Sequence, residues 1–318
     1  MIHFIRLTRP LNMIIIALTM YGLGWFFDGM LKNDAAGIKS MDFFLLVFST
    51  TLIAAAGNII NDYFDRKADR INKPEKLIIG KFVKRRVAIL THTLINFVAF
   101  SIAGYLSWKL ETFGYVFIHL MSINMLWFYS MYFKRKFLIG NVMIAGLTAM
   151  VPLLVGFYYD QSIASGALEV GNFNDGLTFI SVKIMIFVIS IALAGFAFII
   201  NLGREIIKDM EDIPGDEVLK ARTIPIVLGI SSSRWIVTVI LSFAALLTML
   251  LILMFPRVGT LGFLSLIAAG ILVVVAIITI FLGETKQHYK LANNWLKLAM
   301  VAGLLTPVIW RLLFYYDA

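Results

Sequence analysis

The sequence predicts an all-α, polytopic membrane protein that crosses the bilayer nine times. Hydrophobic residues make up 60% of the 318-residue chain against 15% charged, and the mean hydropathy is +0.88. Apolar windows of about 20 residues, the length that spans the hydrocarbon core, recur from one end to the other. Their length and their Leu, Ile, Phe and Met content favour helices over the short alternating segments of a barrel. The chain has no cysteine, which excludes disulfides, thiolate metal sites and a cysteine nucleophile.

The first window, 11–30, follows a start carrying Arg6 and Arg9. No small-residue cleavage site follows it, so it reads as a span and not as a signal peptide. Further windows lie at 41–61, 87–108, 112–133, 139–159, 178–202, 235–255, 260–283 and 292–314. The longest polar stretches, near 62–86 and 203–234, read as inter-helical loops, which leaves one transmembrane domain over 1–318 with no soluble unit. The Gly-, Ser- and Asn-containing stretch 160–177 reads as a plain outer connection.

The net charge of +9 could suggest a nucleic-acid partner, but in a membrane chain the placement of the basic residues speaks first to topology. With the N-terminus inside, about 22 of the 28 Lys and Arg fall on one side, leaving Lys32, Lys39, Lys109, Lys183, Arg257 and Arg311 on the other. The expected location is therefore the cell's inner or plasma membrane. The N-terminus and both polar loops face the cytoplasm and the C-terminus lies outside.

Chemistry concentrates in two segments. NIINDYFDRKAD places Asn58, Asp62, Asp65 and Asp69 at offsets of 0, 4, 7 and 11, one narrow face of a helix. EIIKDMEDIPGD places Glu205, Asp209, Asp212 and Asp216 at the same offsets, 147 residues later. Each segment sits at the inner end of an even-numbered span. Two carboxylates about 6 Å apart repel by roughly 3 kcal/mol at an effective dielectric of about 20. Mg²⁺, a hard cation that takes oxygen ligands and keeps places for phosphate, removes that cost. Arg66, Lys73, Lys134, Arg135, Lys208 and Arg222 lie on the same side, where they can neutralise a departing diphosphate. Pro214 and Gly215 predict that the second helix ends before Asp216, which then sits on a turn.

NDYFDRKAD followed by INKP, and KDMEDIPGD followed by ARTIP, resemble the two aspartate-rich motifs of the UbiA superfamily of intramembrane prenyltransferases. RLTRPLN and YSMYFKR extend the resemblance over nearly the whole chain. It implies nine helices around a central cavity, capped by the motifs and open sideways to lipid. It implies Mg²⁺ as cofactor, with Asn61, Asp62, Asp65 and Asp69 in the first motif and Asp209, Asp212 and Asp216 in the second. Tyr129, Lys134 and Arg135 match the YSxxxKR stretch, and Asn12 matches RPxN. Asn58 joins the metal-side candidates as the first member of its stripe. Asp65, Asp69, Asp212 and Asp216 are the candidate catalytic groups.

The implied reaction moves a prenyl group from a polyprenyl diphosphate to a lipophilic acceptor. REIIKDMEDIPGD and RTIP are most similar to the branch whose acceptor is geranylgeranylglyceryl phosphate, with the aromatic-acceptor branches of quinone synthesis as the alternative. Where many relatives carry RPxxSG after INKP, this chain has Glu75 to Gly80. A cation transporter also uses paired acids in a bundle, but it would place them deep in the membrane. The DGxxAR signature of CDP-alcohol phosphotransferases is absent.

Overall fold

A computed structural model describes residues 2–31, 37–164, 179–254 and 259–316. These form α1 (Ile2–Thr8), α2 (Pro10–Met30), α3 (Met41–Asn72), α4 (Arg85–Lys109), α5 (Gly114–Met131), α6 (Ile139–Ala164), α7 (Phe179–Val218), α8 (Ile224–Met254), α9 (Gly259–Leu282) and α10 (Lys286–Tyr316). Among the described residues, eight helices are long and apolar enough to cross a membrane. The ninth predicted span is α5, the shortest of the long helices at 18 residues, with His119 and Asn124 along it.

Local chemistry sets the helix ends. Pro10 opens α2, where its missing N–H costs nothing. Ser40 caps α3, its hydroxyl accepting from the Phe43 N–H at 3.0 Å. Gly229, with φ 81°, breaks α8 near its start, a backbone geometry that glycine adopts without steric cost.

Both polar stretches expected as loops are largely helix. α3 runs on to Asn72 and α7 to Val218, so the carboxylate stripes stand on rigid extensions of the spans. The helix also passes through Pro214, which corrects the expectation that Asp216 sits on a turn. The reason is a tertiary contact: the side chain of Asn72 accepts from the Gly215 N–H at 2.9 Å and donates to the Asp212 carbonyl at 3.0 Å. These bonds satisfy backbone groups around the proline that would otherwise fray. A Cβ at Gly215 would stand 2.3 Å from the Asn72 amide nitrogen, so any larger residue there has to displace this side chain. On the opposite side, α6 continues to Ala164 and the rest of the expected outer connection, 165–177, lies outside the described residues, as do Lys32 and Arg257.

Each long helix packs on its chain neighbours, and α10 returns to α2, closing a ring; α3 also touches α7 across it. One apolar core, around Phe27, Phe43, Leu46, Tyr115 and Tyr159, joins α2, α3, α4, α5, α6 and α7 at the end away from the motifs. A second, around Ile206, Leu241, Val273 and Leu296, joins α7 to α10. A small third core seats Leu7 of α1 and Ile79 against Ile59 of α3. Outside, large apolar side chains such as Trp108, Phe97 and Val239 stand exposed. In water this surface would be an aggregation liability; in lipid it is the expected exterior.

Several polar side chains along the spans pair with neighbouring groups. His92 bonds to the Ala56 carbonyl at 3.0 Å and to Asn96, while His119 bonds to Ser49 at 2.9 Å and to the Tyr115 carbonyl. Asn124 returns to its own helix at Leu120. These are packing contacts between or within helices.

Candidate active site

The C-terminal ends of α3 and α7 bring the two carboxylate stripes together, with a cation on each. Lys134, in the single 3-10 turn Phe133–Arg135 after α5, pairs with Asp65. Burial by itself would lower the Lys134 pKa, but Asp65, Tyr129 and Asp216 hold it well above the ordinary lysine value. Lys73, which follows the last residue of α3, reaches across to α7 and bonds Asp212 at 2.9 and 3.0 Å, with Glu211 at 3.6 Å. Its burial is likewise outweighed by Asp212 and Glu211, so its pKa is raised. Both ammonium groups therefore remain charged at neutral pH.

Asp65 is buried, and the Asn61 amide donates to it at 2.8 Å. The Asn61 Oδ1 is buried without a hydrogen-bond partner, an acceptor oxygen left open beside a carboxylate. Such an oxygen beside a carboxylate, in a chain without cysteine, fits Mg²⁺. Among the described residues no three acidic or histidine side chains converge into a complete cage. An ion that keeps coordination places for substrate phosphate does not need one.

On α7, Asp209 accepts from the Asn141 amide of α6 at 2.8 Å, and buried Glu205 pairs with Lys208 at 3.3 Å. Asp216 is buried within electrostatic reach of Lys134, Asp212 and Asp65. Tyr129, also buried, lies within the same reach of Lys134, Lys208 and Asp65. Asp69 stands in the fields of Asp65, Lys134 and Lys73.

Other sequence candidates lie elsewhere. Asn58 donates to the Thr8 carbonyl at 3.0 Å, and Asp62 pairs with Arg9 at 2.6 Å. These two members of the stripe thus hold the junction of α1 and α2. Arg66 lies against Gly80, to the side of the stripe. Asn12 is exposed in the first turn of α2. Arg222 is exposed, and its backbone N–H donates to the Arg135 carbonyl at 2.9 Å, which sets the start of α8 beside the 3-10 turn. Arg9, Asn72 and Asn141 are additions that the residue pattern did not single out. Arg9 is the arginine of the RPxN stretch; Asn72 and Asn141 act through long-range contacts with no local signature.

Residues 27–301 match the UbiA prenyltransferase family. A digeranylgeranylglyceryl phosphate synthase of Pyrococcus horikoshii is 30% identical over 316 residues, covering 95% of this chain and 97% of the relative. Among solved structures, a digeranylgeranylglyceryl phosphate synthase in membranes superposes with a TM-score of 0.66 at 21% identity, covering 97% of both chains. A UbiA homolog from Archaeoglobus fulgidus bound to GPP and Mg²⁺ gives 0.56 at 17% identity, covering 96% of this chain and 100% of the other. With this match over most of its length, two carboxylate helices that meet at one end of a helical ring, and an apolar exterior suited to lipid, the chain belongs to the UbiA prenyltransferase family.

Proposed function

We propose that this prenyltransferase moves a polyprenyl group from its diphosphate to the free hydroxyl of a prenylglyceryl phosphate, with Mg²⁺ as cofactor. The observation that carries the reading is the pairing of two carboxylate stripes with Lys73 and Lys134 at one end of the bundle. The relatives support the acceptor by what they are named for making, and the Archaeoglobus homolog supports an allylic diphosphate with Mg²⁺ by what it holds. Asn61, Asp65 and Asp69 on one side, and Asp209, Asp212 and Asp216 on the other, are the oxygen donors for the metal. When bound, Mg²⁺ supplies neutralising charge to the diphosphate.

The chain's own part is electrostatic. Lys134 and Lys73 stand between the stripes, placed to take the charge that develops as the allylic C–O bond breaks and its electron pair leaves with the diphosphate. Lys208, Arg135 and Arg222 add positive field from the same end. The apolar bundle keeps water from the allylic carbon, which the acceptor oxygen then attacks. The hydroxyl proton passes to a diphosphate oxygen. The motif end faces the cytoplasm, a reading supported by the bias in Lys and Arg placement.

The test is purified protein in detergent with geranylgeranyl diphosphate, Mg²⁺ and a panel of acceptors, following diphosphate release and the lipid product by mass spectrometry. Turnover with a prenylglyceryl phosphate, lost in excess chelator, is the expected result. Turnover only with aromatic acceptors would replace the acceptor, and undiminished rates in chelator would remove the metal.

A further inference from the structure

An apolar crevice of about 80 Å³ lies between α2, α6, α7 and α10, lined by Ile15, Thr19, Thr148, Leu193, Ala197 and Met300 among others. On α7, Leu193, Ala197 and Arg204 are four and seven residues apart, so Arg204 continues the crevice stripe toward the motif end. On α10, Asn293 stands seven residues before Met300, on the stripe that also lines the crevice.

Arg204 joins these two stripes. Its Nε donates to the Asn293 Oδ1 at 3.0 Å, and its Nη1 donates to the Asn201 Oδ1 at 2.8 Å and contacts the Met300 sulfur at 3.6 Å. Asn201 is tied in turn to Thr148 of the crevice wall at 2.7 Å. Every one of these partners is neutral. Among the described residues no carboxylate lies within ion-pair distance of Arg204, and the adjacent Glu205 is taken by Lys208. Both N–H groups of Nη2 remain for a ligand. A guanidinium held rigid by amides, without a counter-anion, at the polar end of an apolar slot is suited to a phosphate monoester on a lipid chain.

We propose that Arg204 is the acceptor's phosphate anchor, binding the phosphate of a prenylglyceryl phosphate, the near end of whose chain enters the crevice. This is an anion site separate from the diphosphate site of Lys73 and Lys134, and it rests on the acceptor reading given above. Arg204 orients the acceptor by binding it and takes no part in breaking the allylic bond.

The test compares wild type with Arg204→Gln, Arg204→Lys and Asn293→Asp. Each is assayed with a glyceryl phosphate monoether bearing one geranylgeranyl chain, and with the same lipid lacking phosphate. Arg204→Gln is expected to raise KM for the phosphorylated acceptor roughly ten- to hundred-fold, the range for losing a charge-assisted hydrogen bond. KM for geranylgeranyl diphosphate and the Mg²⁺ half-saturation should stay within about two-fold, and the preference for the phosphorylated over the phosphate-free acceptor should collapse. Arg204→Lys should recover part of the loss. Asn293→Asp, nearly isosteric and therefore suited to keeping the fold, should weaken the acceptor by supplying the missing counter-anion. An unchanged acceptor KM in a folded Asn293→Asp and Arg204→Gln, or a shift in KM for the diphosphate substrate instead, overturns the anchor while leaving the acceptor reading intact. Absence of wild-type turnover with any phosphorylated acceptor overturns both.

Discussion

Asp65 and Lys134 show how much depends on single side chains at this site. Each is a costly charge in a partly dry setting that the other makes tolerable. Replacing Lys134 with Met should destabilise the protein by roughly 3 kcal/mol, because it strands a buried carboxylate. The double variant Lys134→Met with Asp65→Asn should recover most of that loss. Thermal unfolding of the four proteins in one detergent closes the cycle, and additive effects would show that the two groups are not coupled. For catalysis, Asp65→Ala and Asp212→Ala should each lower turnover on the order of a hundred-fold or more. Size-exclusion profiles should stay native; a variant that keeps full turnover removes its carboxylate from the proposed machinery. Through spacing alone the residue pattern placed Asn58, Asp62, Asp65 and Asp69 on one face and Glu205, Asp209, Asp212 and Asp216 on another, since a helix converts offsets of 4, 7 and 11 into a face. It did not indicate that Asn58 and Asp62, on that same stripe, turn to the Thr8 carbonyl and Arg9. A stripe is wide enough to serve two neighbours, and nothing local says where one ends.

At the scale of the element, the windows of apolar residues located the eight described helices that are long and apolar enough to cross a membrane, and the polar stretches between them were misread as loops. Hydropathy reports where a helix leaves lipid, not where it ends, so α3 and α7 continue past their apolar windows for about three and about four further turns. The contact that carries α7 past Pro214 comes from Asn72, 140 residues or more away in sequence, which no local rule foresees. That contact makes a direct prediction. Gly215→Ala should drive a methyl group into the Asn72 amide and cost about 1–3 kcal/mol. Asn72→Ala in the same background should relieve the clash but leave the Gly215 N–H and the Asp212 carbonyl without their partners. Unfolding midpoints for the two single variants and the double decide it, and a Gly215→Ala protein as stable as wild type would show that the latch is loose. A further element-scale expectation concerns Ser40, whose loss to Ala should cost about 1 kcal/mol through the α3 cap.

The whole molecule is a ring of helices with its charged chemistry gathered at one rim and an aromatic core at the other. The bias in basic residues leads us to expect that rim in the cytoplasm, and a reporter fused after Lys84 or Lys220 should then register there, with one inserted at Gly171 registering outside. A motif rim found outside would reverse the proposed orientation while leaving the ring itself unaltered. The ring closes late. α10 emerges during synthesis after the other described helices, yet it packs on α2, and Lys286 donates to the Asn72 carbonyl at the end of the first motif at 2.9 Å. Two segments separated by nearly the full chain must therefore meet before the first carboxylate stripe has its final support. Until then the nascent protein holds paired acids and an unsealed seam between α2 and α10 inside the bilayer. A ribosome that stalls before residue 286 would leave an inserted and apolar but unfinished bundle, for membrane quality control to recognise by that open seam.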